Sequence, residues 1–167
     1  MKIEFGAGDS PQYPKYKKCD IRALDGIDFV CNAWEIDSHV EENTVDHIYS
    51  RHFLEHLTFE QARVYFSACY KILKEGSVME HVLPNMEWHV RQWLSEDNAM
   101  GFNIDEPFLR GINGLWGKQR GELGDLWDVH KSGYKPWQIE KMLSNAEFSE
   151  IEWIDTPVKN LHFKAYK

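Results

Sequence analysis

The sequence predicts a single α/β domain built on a doubly wound, mostly parallel sheet. Short apolar segments bounded by Gly, Pro, Asp or Asn recur through the first half of the chain, as strands do. An amphipathic segment, 58–74, lies between two of them, and a strand–helix–strand unit of this length makes its strands parallel with a right-handed crossover. The alternation of Leu161, Phe163 and Ala165 predicts an antiparallel hairpin strand at the C-terminal end.

The individual elements follow from the same patterns. The predicted strands are residues 2–5, 16–21, 26–31, 45–50, 77–83, 150–154 and 161–166. The helix 58–74 begins with a capping box of Thr58 and Gln61, and Gly76 is its expected stop. Pro136 opens a second helix, whose apolar face is formed by Ile139, Met142, Leu143 and Ala146. Segments 87–94 and 106–112 are candidates for short helices.

Length and composition limit the classes of function. A chain of 167 residues fits one domain, 1–167, and a net charge of −8 argues against the basic surface that nucleic acids need. The chain contains no apolar segment long enough to span a membrane, and Met1 leads directly into a strand rather than a signal peptide. Its three widely spaced cysteines form no disulfide framework, so we expect a reducing, cytoplasmic location.

The most informative segment is the turn after the first strand. Gly6 and Gly8 allow a sharp backbone turn close to a ligand, although two glycines alone are a weak signal. Pro11 and Pro14 occupy the place of the helix that would receive a dinucleotide pyrophosphate, which disfavours NAD or FAD. Asp20, at the end of the next strand, could accept hydrogen bonds from a ribose diol.

With two further segments, this turn resembles class I S-adenosylmethionine-dependent methyltransferases over nearly the whole chain. Residues 46–57, DHIYSRHFLEHL, are similar to the family's fourth strand and its exit, and 70–77, YKILKEGS, to the turn before the fifth strand. The resemblance implies a Rossmann-like fold and S-adenosylmethionine as cofactor. The cofactor-binding residues it implies are Glu4, Phe5, Gly6, Ala7, Gly8, Asp20, Ile21, Asn32, Ala33, Ser50, Arg51 and His52.

The chain also departs from the family pattern. The helix between the first two strands is missing, because only a short, proline-containing segment separates Gly8 from Asp20. Asn32 stands where an aspartate is common, Glu75 and Ser77 replace Pro and Gly, and Glu147 stands where the family has a glycine after the last helix. The last three changes concern stability more than chemistry.

The predicted function is methyl transfer to a small-molecule, sugar or similar polar acceptor. In-line transfer needs positioning, exclusion of water and, for some acceptors, a base. The tryptophan-rich insert 88–135 is the expected lid, with Trp88, Trp93, Trp116 and Trp127 as its candidate walls, and His130, oriented by Asp128, is the candidate base. The expected partner is then a small-molecule substrate, and the chain could also form a homodimer. The alternative is a methyltransferase-like, non-catalytic partner domain.

A third reading comes from His52, Glu55 and His56, which spell the H-x-x-E-H signature of some zinc hydrolases. That signature needs two histidines on one helical turn, yet here it follows a strand directly. The sequence offers no third ligand at a set spacing, so we assign no metal.

Overall fold

The computed structural model describes residues 1–94, 111–117 and 127–167, with side chains in the second range from Gly114 onward. Its strands are β1 (Lys2–Phe5), β2 (Lys17–Asp20), β3 (Phe29–Val30), β4 (Val45–Arg51), β5 (Leu73–Pro84), β6 (Glu150–Trp153) and β7 (Asn160–Tyr166). Its α-helices are α1 (Phe59–Ile72), α2 (Met86–Leu94), α3 (Gly111–Trp116) and α4 (Pro136–Asn145). Two 3₁₀ helices, Ala33–Ser38 and Leu54–His56, flank β4.

All seven strands form one sheet in the order β3-β2-β1-β4-β5-β7-β6. The first five pair in parallel, while β7 is antiparallel to both β5 and β6. The order reverses direction between β1 and β4, which is the arrangement of a doubly wound sheet. The predicted fold class is therefore confirmed.

The core lies on one face of the sheet. Ile3 pairs with Ile48, which pairs with Met79, so their side chains form a continuous apolar row across three strands. The 3₁₀ helix Ala33–Ser38, α1 and α4 cover this face with buried side chains that include Ile36, Phe66 and Leu143. The amphipathic patterns read from the sequence thus describe one continuous core.

Helix α1 shows which boundary signals were reliable. The side chain of Thr58 accepts from the Gln61 amide, and that of Gln61 accepts from the Thr58 amide, which confirms the capping box. Its predicted C-terminus was wrong, because α1 ends at Ile72. Leu73, which is fully buried, turns to an extended conformation and begins β5, so Gly76 lies inside the strand with a φ of +71°.

Other boundaries also differ from prediction. The third strand is only Phe29–Val30, and a 3₁₀ helix that was not predicted follows it directly. Helices α2 and α4 agree with the predicted segments at 87–94 and after Pro136. The candidate helix 106–112 lies mostly outside the described residues. None of the helices that the structure describes is long and apolar enough to cross a membrane.

The connection between β1 and β2 contains no helix, as predicted. The buried carboxylate of Glu4 ties it down by accepting hydrogen bonds from the backbone amides of Gln12, at 2.7 Å, and Tyr13, at 2.8 Å. The ring of Tyr13 stacks on Tyr16 and meets the edge of Tyr49 in β4. One side chain thus supplies the anchoring that a packed helix gives in other sheets of this type.

Candidate functional site

A cleft opens at the C-terminal ends of β1 to β4, where the strand order reverses. This crevice is the usual ligand position in open α/β sheets. The cleft encloses about 740 Å³ of empty space, counting the open solvent at its mouth. Its lining includes Gly6, Cys19, Asp20, Ile21, Arg22, Cys31, Asn32, Ala33, Trp34, His52, Phe53, His56, Leu57, Trp127, Asp128 and Lys131.

The turn after β1 brings backbone to the floor of this cleft. Gly6 and Gly8 have φ values of +61° and +52°, in the left-handed region where side chains are strained. A Cβ atom on Gly6 would lie 2.6 Å from Cδ2 of Phe53, so no side chain fits between this turn and the exit of β4. The absence of side chains at both positions therefore has a structural cause.

Asp20 lies at the end of β2 and is almost fully buried. Its carboxylate accepts four hydrogen bonds: from the Gly8 amide at 3.0 Å, and from the amide, Nε and Nη2 of Arg22 at 2.9, 3.1 and 3.4 Å. The hydrogen bond to Asp20 raises the pKa of the Arg22 guanidinium. A carboxylate offers about four acceptor positions. A ribose diol would have to displace the arginine or share the carboxylate with it.

The chain after β3 forms the next wall. Asn32 directly precedes the 3₁₀ helix Ala33–Ser38, and its side-chain amide donates to the carboxylate of Glu35 at 3.0 Å. Ala33 is buried beside it. The thiol of Cys19 in β2 lies 3.7 Å from that of Cys31, which directly follows β3, and both residues line the cleft. This wall is small and apolar, with one amide at its rim.

The exit of β4 contributes His52, whose φ of +50° is unusual for a residue with a side chain. The imidazole is 44% exposed, and its Nδ1 lies 3.3 Å from Oε1 of Glu55. The next residue, Phe53, packs on Phe5 and Tyr65. The strained backbone turns His52 toward the cleft while Phe53 returns to the core.

Six of the predicted cofactor residues line the cleft: Gly6, Asp20, Ile21, Asn32, Ala33 and His52. The other six lie around it in supporting positions. Phe5 and Ala7 are buried in the fold, Gly8 holds Asp20 through its amide, and Glu4 anchors the β1–β2 connection. Arg51 is exposed and donates to the side chain of Gln12.

Ser50 belongs to a buried polar network below the cleft. Its hydroxyl hydrogen-bonds to Nδ1 of His81 in β5, and Tyr65 of α1 reaches the other ring nitrogen at 3.4 Å. Burial lowers the pKa of His81 to about 3, so the ring is neutral at physiological pH. This network fixes the end of β4 against α1 and β5.

His130 reaches the same region from the far end of the insert. Its ring is mostly buried against His56, with ring centres 5.0 Å apart, and its Nε2 lies 3.9 Å from Oε1 of Glu55. Burial lowers the pKa of His130, and the opposing effect of the Glu55 charge is smaller. The sequence suggested Asp128 as the carboxylate that orients this ring, and the structure also brings the carboxylate of Glu55 near it.

Sequence reasoning missed several lining residues. Arg22 carried no motif, although its place just after Asp20 could have suggested a pairing. Lys131 was missed too, and it lines the cleft together with Trp127, which the sequence did name as a candidate wall. Trp116 contacts Trp93 edge to face at 5.5 Å, so these two candidate walls pack on each other.

Comparison with known proteins gives a likeness in structure alone. No family model and no curated protein sequence matches the chain. A SAM-dependent methyltransferase from Archaeoglobus fulgidus matches over 99% of this chain and 85% of its own, with a TM-score of 0.62 and 16% identity. SAM-dependent methyltransferases from Methanosarcina mazei match over 99% of this chain and 91% of theirs, with a TM-score of 0.62 and 13% identity.

A third similar structure comes from Thermotoga maritima and is described as a SAM-dependent methyltransferase, possible histamine N-methyltransferase. It matches over 100% of this chain and 82% of its own, with a TM-score of 0.64 and 10% identity. The structural similarity establishes the fold. Sequence identities this low leave the activity and the methyl acceptor open. The chain has the fold of class I S-adenosylmethionine-dependent methyltransferases.

Proposed function

We propose that the protein is an S-adenosylmethionine-dependent methyltransferase acting on a small polar acceptor. One observation carries the proposal: the turn at Gly6, the carboxylate of Asp20 and the amide of Asn32 come from three separate strand ends and line one cleft. Backbone without side chains, an acceptor for a ribose diol and a polar group for adenine are what a nucleoside cofactor without phosphates needs.

In this proposal the cofactor lies across the ends of β1, β2 and β3. Its amino-acid end is bound beside Gly6, its ribose by Asp20, and its adenine against Asn32 and Ala33. His52 then lies beside the sulfonium. The ribose reaches Asp20 when the guanidinium of Arg22 gives up part of its pairing, which the 35% exposure of the Arg22 side chain permits.

The acceptor is proposed from charge and shape. Trp127 and Lys131 line the cleft opposite the strand ends and offer an apolar wall and one positive charge. A net charge of −8 disfavours a polyanionic acceptor. A small polar molecule with an anionic or hydroxyl group fits this pair of side chains best.

Calorimetric titration with S-adenosylmethionine and S-adenosylhomocysteine tests the proposal. We expect saturable binding, and we expect Asp20→Asn to weaken it about tenfold or more, because hydrogen bonds to a charged group contribute about 1.5–3 kcal/mol. Asp46→Asn is the matched control, since Asp46 is an exposed acid at the opposite end of β4. Absence of binding at millimolar ligand, or an unchanged affinity of Asp20→Asn, would refute the proposal.

One observation favours the second candidate, a domain with this fold that does not bind the cofactor. The four acceptor positions of Asp20 are already filled within the chain. If Arg22 keeps this pairing, the cleft cannot hold a ribose at Asp20. The same titration separates the two candidates.

A further inference from the structure

A second cluster of chemically active side chains lies behind the cleft. Glu55 and His56 come from the 3₁₀ helix Leu54–His56, and His130 comes from the segment that precedes α4. One carboxylate oxygen and one nitrogen from each imidazole all lie within 4.8 Å of one another. Two imidazoles and a carboxylate are a common ligand set for divalent transition metals.

The buried carboxylate of Glu55 is the strongest evidence that this cluster binds a cation. Its side chain is only 1% exposed, and neither carboxylate oxygen has a hydrogen-bond partner among the residues that the structure describes. Nδ1 of His52 lies 3.3 Å from Oε1 but outside hydrogen-bond geometry. Burying a carboxylate without hydrogen bonds is costly, and such groups are normally paired with a charge or bound to a cation.

The backbone holds the cluster in place. The carbonyl oxygen of Glu55 accepts from the amides of Lys131, at 2.8 Å, and Ser132, at 3.2 Å. These bonds join the chain on both sides of the cluster, so His130 is kept beside Glu55 whether or not an ion is present. Preorganisation of this kind is expected of a binding site.

The hydrogen bonding of His56 also suits a ligand. Its Nδ1 lies 3.2 Å from the carbonyl oxygen of Val129, which can only accept. His56 therefore donates through Nδ1 and keeps the lone pair on Nε2, one of the two ring nitrogens through which a neutral histidine binds a metal. A backbone carbonyl in this position is a frequent outer partner of a ligating histidine.

We propose that Glu55, His56 and His130 bind one divalent transition-metal ion such as Zn²⁺. At tetrahedral angles, metal–ligand bonds of about 2.0–2.2 Å place two ligand atoms about 3.3–3.6 Å apart. The 3.9 Å between His130 Nε2 and Glu55 Oε1 is slightly wider, and the three ligand atoms lie within 4.8 Å of one another, so binding requires the side chains to close on the ion. His56 also lines the cleft, so an open coordination position would face a molecule bound there.

This arrangement differs from the H-x-x-E-H hydrolase signature. There both histidines are ligands and the glutamate is the base. Here Glu55 is itself a ligand, the second histidine is His130 from a distant segment, and His52 contacts the carboxylate from outside. The proposal concerns metal binding and is independent of S-adenosylmethionine.

Metal titration of chelator-stripped protein tests the proposal without any cofactor. We expect one Co²⁺ per chain with the visible spectrum of a low-symmetry site, displaced by one equivalent of Zn²⁺. Glu55→Gln and His130→Gln should each lower Zn²⁺ affinity about a hundredfold or more, because loss of an outer partner of a ligand alone typically costs about 10- to 100-fold. His162→Gln is the control, since His162 pairs with Glu80 and lies outside the cluster.

Two results would overturn the site. Wild-type protein that binds less than stoichiometric Co²⁺ and Zn²⁺ has no such centre, whatever the variants do. Stoichiometric binding that persists unchanged in both Glu55→Gln and His130→Gln would place the metal elsewhere. Circular dichroism of each variant establishes that the comparison is between folded proteins.

Discussion

The guanidinium of Arg22 forks onto the carboxylate of Asp20, with Nε 3.1 Å from Oδ1 and Nη2 3.4 Å from Oδ2. This pair lies where the proposed cofactor would place its ribose. The arginine would therefore compete with this proposed ligand for the same acceptor. Substituting either Arg22 or Asp20 and measuring ligand affinity tests this competition.

Arg22→Ala should bind S-adenosylhomocysteine about threefold to tenfold more tightly than wild type. Removing the guanidinium frees acceptor positions on Asp20, and one hydrogen bond contributes about 1 kcal/mol. Calorimetry measures the change. Lys17→Ala is the control, since Lys17 pairs with Asp28 away from the cleft lining. Weaker binding by Arg22→Ala would mean that the arginine itself contacts the ligand.

Gly6→Ala should destabilise the fold by about 2–3 kcal/mol. About 1 kcal/mol comes from a side chain at positive φ, and the rest from the contact with Phe53. Urea denaturation gives the free energy of unfolding. Gly76→Ala isolates the first effect, because its φ is +71° and no atom lies within 4 Å of the added Cβ. Equal losses in the two variants would show that the Phe53 contact relaxes without cost.

His81 should make stability depend on pH. Its pKa is about 3 in the folded state and about 6.5 when unfolded. The folded-state pKa is depressed, so this contribution to stability is complete above pH 6.5 and is lost as the pH falls toward 3. Between pH 7 and pH 5 the loss from this residue is about 2 kcal/mol.

The measurement is urea denaturation at both pH values. His81→Phe keeps a ring in the site and removes the titration, so its stability should fall by about 2 kcal/mol less than that of wild type over this interval. For each protein, the change in the free energy of unfolding between pH 7 and pH 5 is compared. The loss of the Ser50 hydrogen bond in His81→Phe affects both pH values equally and cancels. The same dependence in both proteins would contradict the burial of a neutral imidazole.

Glu147→Gly should stabilise the protein by about 1 kcal/mol, raising the melting temperature by roughly 2–4 °C. Glu147 follows α4 with a φ of +72°, a position where helices prefer glycine. Thermal unfolding measures the gain. Lys141→Gly, at an exposed position within α4, should instead cost about 1 kcal/mol. A loss at both positions would contradict the left-handed conformation of Glu147.

These positions also show how far sequence reasoning reached. The sequence showed that position 147 lacks the glycine usual in the family, because the conformation there depends only on the neighbouring residues at the end of α4. The capping box at Thr58 and the missing helix between β1 and β2 are local in the same way. The end of α1 was misjudged because Leu73, a good helix former, is required as a buried strand residue beside Val45.

The site was predictable where it follows strand ends and unpredictable where distant segments meet. Gly6, Asp20 and Asn32 converge because parallel strands end at the same edge of a sheet. The approach of His130 to Glu55 depends on the path of the insert, which has no periodic pattern. Arg22 was missed because whether a surface arginine folds back on a neighbouring carboxylate depends on burial rather than on residue type.

We propose that a nucleoside cofactor lies across the ends of β1, β2 and β3, and a crystal structure of the complex with S-adenosylhomocysteine would show it. This binding mode places ribose hydroxyls within hydrogen-bond distance of Asp20 and adenine beside Asn32 and Ala33, and it displaces the Arg22 guanidinium. A ligand bound elsewhere, or a cleft still closed by the Asp20–Arg22 pair at saturating ligand, would contradict it.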